Sequence, residues 1–62
     1  MYTKEIYQTK EGYGFKIFKD NIITTTQETV FTREGIKPIS TKEKAESLAN
    51  EMVEYLTKID GQ

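Results

Sequence analysis

Hydrophobic and polar positions follow two different periods along the chain. Tyr13, Phe15 and Ile17 alternate with Gly14, Lys16 and Phe18. That period of two is the mark of a strand. Tyr2 to Thr9 is rich in Tyr, Thr and Ile, and Ile22 to Gln27 opens as Ile-Ile-Thr-Thr-Thr. β-branched and aromatic runs of this kind favour strands. Strands are therefore predicted over about 2–9, 13–18 and 22–27. In the last third the period changes. Ala45, Leu48, Ala49, Met52, Leu56 and Ile59 recur at spacings of three and four, as one stripe of an amphipathic helix. Ser40 and Glu43 form a capping-box pattern ahead of it, and Gly61 is a stop signal. The helix is predicted over about 41–59. Residues 28–39 read as irregular or as a short strand at Val30-Phe31, with a turn at Arg33-Glu34-Gly35. Ile36 and Ile39 are expected under the start of the helix.

Turn chemistry then proposes a register. Lys10-Glu11-Gly12 and Lys19-Asp20-Asn21 each fit a three-residue hairpin loop with a left-handed last residue. Tyr7 would then face Phe15, and Ile17 would face Ile23. One face would collect Tyr7, Tyr13, Phe15, Ile17 and Ile23 for the helix to cover. The expected fold is α+β: a three-stranded antiparallel β-meander packed against one C-terminal α-helix, in one domain over 1–62.

Composition narrows the chemistry. The 62 residues contain no Cys, no His and no Trp. A disulfide framework, a Cys/His zinc site and a histidine-based nucleophile system are all excluded. Asp20, Glu28 and Glu34 lie in or beside turns, where carboxylates are ordinarily solvated. Asp20-Asn21 falls far short of the oxygen shell that calcium requires. No catalytic residue, metal site, cofactor or small-molecule pocket is expected, and no apolar run is long enough to span a membrane. Net charge is −1, from 9 Lys+Arg against 10 Asp+Glu.

The order Gly12-Tyr13-Gly14-Phe15, an Ile-rich strand ending at Gln27, Gly35, Lys37-Pro38-Ile39, and a helix carrying Ala45 and Ala49 resembles a small bacterial family of unknown function. The resemblance covers about Tyr2 to Gly61. It implies a fold, and an exported or envelope setting for a chain cut from a longer precursor; as it stands the chain reads as cytoplasmic. It carries no activity. The family's Ile-Pro after the Gln is replaced by Val30-Phe31, and its lipid-attachment Cys has no counterpart. Three strands followed by a helix beginning Thr41-Lys42-Glu43-Lys44 are also similar to the arm-site DNA-binding domains of tyrosine recombinases.

One helix covers one side of a three-stranded sheet, so the other side is free. On the register above it presents Ile6, Phe18 and Ile22, rimmed by lysines. Clustered apolar residues of this kind mark interaction sites. The expected function is a non-catalytic protein-interaction or assembly module, binding a protein partner or a second copy through that face or a sheet edge. The alternative is a nucleic-acid module using Lys4, Lys16 and Lys19, with Tyr2 and Phe18 as stacking platforms. Against it stand a pI of about 5.3 and a single arginine. A small inhibitor from a mobile element is a third reading that size permits.

Overall fold

The computed structural model describes residues 1–61. Five strands precede one helix: β1 (Tyr2–Gln8), β2 (Tyr13–Lys19), β3 (Ile22–Gln27), β4 (Thr29–Thr32), β5 (Gly35–Pro38) and α1 (Lys42–Asp60). The first three form an antiparallel meander with β2 in the centre, and β4 and β5 form a separate two-stranded sheet. The fold is α+β, with the C-terminal helix laid on the meander.

β2 is central because a short hairpin loop joins it to a neighbour on each side, and its alternation supplies the core. Phe15 and Ile17 are fully buried and form the core with Ile39, Ala45 and Ala49. Tyr2, Ile6, Tyr13, Val30, Leu48, Met52, Val53 and Leu56 pack around them. The two alanines let the helix backbone approach the sheet closely. α1 lies across β1 and β2, so β3 stands largely outside its cover. The stripe ends earlier than its spacing implies: Val53 packs against the core, while Ile59 is about half exposed.

Both hairpins differ from the expected register by one residue. The first loop has four residues, not three. The Thr9 N–H donates to the Gly12 carbonyl at 2.8 Å, and the Gly12 N–H donates to Thr9 Oγ1 at 3.0 Å. Ile6 therefore faces Phe15, and Gln8 faces Tyr13. This turns Ile6 toward the helix and Tyr7 away from it. The second loop has two residues. Asp20 and Asn21 both take positive φ, 51° and 71°, as a type I′ hairpin requires. Lys19 faces Ile22 and Phe18 faces Ile23. A bulge at Thr24 then shifts the pairing, so Ile17 faces Thr25 and Phe15 faces Gln27. The Thr24 hydroxyl donates to the Ile17 carbonyl at 3.1 Å across that irregularity.

Gly12 does not adopt a left-handed conformation. A Cβ there would lie 2.1 Å from the Ile39 carbonyl oxygen. That oxygen accepts the Tyr13 N–H at 2.9 Å, and the Ile39 N–H reaches the Glu28 carbonyl at 3.3 Å. These bonds bring Ile39 across the end of the meander and its side chain into the core. Segment 28–39 is thus a true hairpin closed by Arg33-Glu34, with Gly35 at φ 110°. Ile39 is buried as expected, but Ile36 is not: it is 64% exposed. The helix cap is Thr41, whose hydroxyl accepts the Lys44 N–H at 3.1 Å, in place of the expected Ser40. Ser40 follows directly on the Ile39 bridge, and Thr41 is the last extended residue.

Candidate protein-interaction surfaces

The register divides the meander's side chains between two faces. Thr3, Glu5, Tyr7, Lys16, Phe18, Ile23 and Thr26 share the face away from the helix. Its best-organised feature is Tyr7. The Lys16 Nζ lies 5.2 Å from the Tyr7 ring centroid, and the phenol donates to the Glu28 carboxylate. Desolvation, followed by that hydrogen bond, raises the phenol to about 12. Gly14 lies beneath this assembly. A Cβ on it would come within 2.8 Å of the Tyr7 ring and of Glu28 Cγ. The two glycines flanking Tyr13 therefore serve different close approaches, one to a carbonyl and one to a ring.

The expected apolar trio is not brought together. Ile6 is turned inward and packs against the core, because it faces Phe15. Ile22 is 70% exposed but lies on the helix side, opposite Lys19. Phe18 alone remains on the open face, half-buried. Its apolar neighbour there is Ile23, 53% exposed.

The lysine trio is divided too. Lys4 and Lys19 point to the helix side, while Lys16 lies on the open face. The Lys4 ammonium donates to the Asn50 side chain. Lys19 meets Asp60 at 2.8 Å, and its Nζ lies 5.8 Å from the Tyr2 ring centroid. The Tyr2 hydroxyl also donates to Asp60, at 2.6 Å. Asp60 consequently sits below its ordinary range, chiefly through Lys19 and then Tyr2, and its hydrogen bond raises both Lys19 and Tyr2. Two of the three cations are thus already engaged in holding the helix to the sheet.

Sequence reasoning missed a facing pair of exposed apolar side chains on the β4–β5 arm. Phe31 and Ile36 face each other across the β4–β5 hairpin. They are 86% and 64% exposed. The signal was present in Thr-Val-Phe-Thr, Arg-Glu and Gly-Ile-Lys-Pro: two four-residue strands around a turn. The Thr32 hydroxyl accepts the Glu34 N–H at 3.1 Å and donates to the Gly35 carbonyl at 2.8 Å, fixing the tip. On the opposite side of this arm, Val30, Thr32, Lys37, Pro38, Ser40 and Lys44 line an open groove against the start of the helix.

The third surface is the β3 edge. It carries no charged residue from Ile22 to Gln27. Among the described residues its outer side pairs with no strand. No three Asp or Glu side chains of the described residues cluster as a metal site, and no described helix is long and apolar enough to cross a membrane. No protein family, curated protein or solved structure matches the chain.

Proposed function

We propose that the protein is a small interaction or assembly module that works through contact surfaces rather than chemistry. The observation that supports this most is the Phe31–Ile36 pair. A two-stranded arm is marginal on its own. This one holds two large apolar side chains in water, facing each other and fixed by its turn. Covering such side chains fully is worth about 1.5–3 kcal/mol each. Their mutual cross-strand contact recovers only about 0.2–1 kcal/mol of that. Phe18 and Ile23 add a second, smaller apolar pair on the open sheet face.

The test is contact-dependent photocrosslinking. A benzophenone side chain is placed at position 31, and separately at position 18, in protein expressed in cells. The expected result is a discrete adduct at one or both positions. Excess wild-type protein suppresses it, and a Phe31→Ser/Ile36→Ser competitor fails to suppress the position-31 adduct. The absence of any competed adduct from both positions overturns the reading.

A further inference from the structure

We infer that Asp60-Gly61 is a site of spontaneous covalent modification, isoaspartate formation, and that the contacts of Asp60 with Lys19 and Tyr2 hold it shut. A main chain closes most readily on an aspartate or asparagine side chain when glycine follows. Glycine leaves the attacking nitrogen uncrowded and its backbone free to turn. Of Asp20, Asn21, Asn50 and Asp60, only Asp60 precedes a glycine. The others precede Asn21, Ile22 and Glu51, whose side chains crowd the nitrogen.

The chemistry is an internal condensation. The Gly61 backbone nitrogen attacks the Asp60 side-chain carboxyl carbon. A new N–C bond forms, the nitrogen loses its proton, the carboxyl loses its hydroxyl, and the two leave as water. The product is a cyclic imide, which water reopens at either carbonyl. Opening at the side-chain carbonyl restores aspartate. Opening at the main-chain carbonyl leaves the chain running through the former side chain, with a free carboxylate on Cα. Water is consumed as it was released, so the net change is an isomerisation and needs no other reactant.

Three features of the fold oppose the attack. Asp60 is the last residue of α1, and its side chain leans back along the helix while the chain carries the Gly61 nitrogen onward. The Gly61 N–H donates to the Thr57 carbonyl at 3.0 Å, so the nucleophile is tied to the preceding turn. The carboxylate is tied to the sheet instead, by the Lys19 Nζ at 2.8 Å and the Tyr2 hydroxyl at 2.6 Å. Lys19 also holds it below the ordinary carboxylate range and therefore ionised. The ionised form is the poorer electrophile, because it has no hydroxyl to lose. The two reacting atoms thus have separate partners, and ring closure requires both ties to break.

Modification undoes the clamp. The carboxylate of isoaspartate sits directly on Cα, one carbon short of the place from which Asp60 reaches Tyr2 and Lys19. The carbon inserted into the main chain shifts the Gly61 N–H off Thr57. Ile59 beside it is about half exposed, so little apolar packing holds this turn afterwards. The Lys4–Asn50 contact still ties the middle of α1 to the meander. Isoaspartate at position 60 therefore frees the last turn and leaves the core intact.

The test ages the protein in mildly acidic buffer beside the free peptide of residues 55–62. Isoaspartate is measured by isoaspartyl methyltransferase labelling and placed by fragmentation of the peptide that glutamate-specific cleavage releases after Glu54. The expected result is label at residue 60, nearly abolished by Gly61→Ala. It should accumulate roughly ten-fold more slowly in the protein than in the peptide, because the attack awaits local opening. Lys19→Met and Tyr2→Phe should each speed it roughly two- to five-fold, with an unchanged circular dichroism spectrum. Equal rates in protein and peptide, or a rate that neither variant changes, overturn the gating. Absence of isoaspartate from protein and peptide alike overturns the site. In the purified modified protein, amide exchange should quicken over residues 57–61 and stay slow at Phe15 and Ile17. Unchanged exchange in the last turn overturns the release.

Discussion

Gly14→Ala adds one methyl group to the open sheet face, and the structure specifies what it meets. The new Cβ would lie 2.8 Å from Tyr7 Cζ, Tyr7 Oη and Glu28 Cγ. β2 is the central strand and cannot move away, so the ring must. Moving it breaks the Lys16 contact at 5.2 Å and the hydrogen bond to Glu28. An exposed cation–π contact is worth ~0.5–1 kcal/mol. A charge-assisted hydrogen bond near the surface is worth about 1 kcal/mol. Against these losses, alanine is better than glycine in a strand by ~0.5–1 kcal/mol. The net expected cost is about 1 kcal/mol, or a Tm lower by roughly 4–8 °C in a domain this small. The decisive measurement is a cycle of urea unfolding curves with Tyr7→Ala. Without the ring, the obstruction shrinks to the flexible Glu28 stem. Gly14→Ala should then change sign and stabilise by ~0.5–1 kcal/mol. If it costs the same in both backgrounds, the ring is not what requires glycine at this position.

Three other outcomes follow from the same structure. Asp60 titrates below its ordinary value, so its contribution to stability is present above the unfolded value of 3.8 and is lost as pH falls through the folded one. Asp60→Asn should flatten the acid limb of a stability–pH curve below about pH 4, and an unchanged limb would refute the Lys19–Asp60–Tyr2 clamp. At the β2–β3 turn, Asn21→Gly should be neutral or slightly stabilising, while Asn21→Val should cost ~1–2 kcal/mol by thermal unfolding, because a β-branched residue resists the left-handed conformation. Finally, Phe15→Ala should cost ~3–5 kcal/mol and leave little folded protein, whereas Phe31→Ser and Ile36→Ser should stay within about 0.5 kcal/mol of wild type in urea. A large loss at Phe31 would mean that the arm serves the fold and not a partner.

The elements were legible because each has its own period. Phe15 and Ile17 alternate toward the core, Ala45 and Ala49 recur along one helix face, and all four are fully buried. The α+β arrangement follows from those patterns alone. The β4–β5 arm was harder to read. Strands of four residues are too short for alternation to separate them from loop, and the bond that ties the arm to the meander comes from the Tyr13 N–H, distant in sequence.

Register was the least legible feature, for a specific reason. β1 carries Tyr or Ile on both faces, at Tyr2, Ile6 and Tyr7, and β3 begins with two adjacent isoleucines. A hydrophobic pattern pins a strand only when one face is apolar and the other polar. Here either parity buries something reasonable, so loop length had to decide. Loop length depends on backbone bonds that no pattern displays, such as the Thr9–Gly12 closure and the paired positive φ of Asp20 and Asn21. One residue of slip at each loop was enough to move Ile6 against the core and Ile23 onto the open face, and to leave Ile22 exposed on the helix side of the sheet. A surface residue assigned to a strand therefore inherits the parity of its nearest turn.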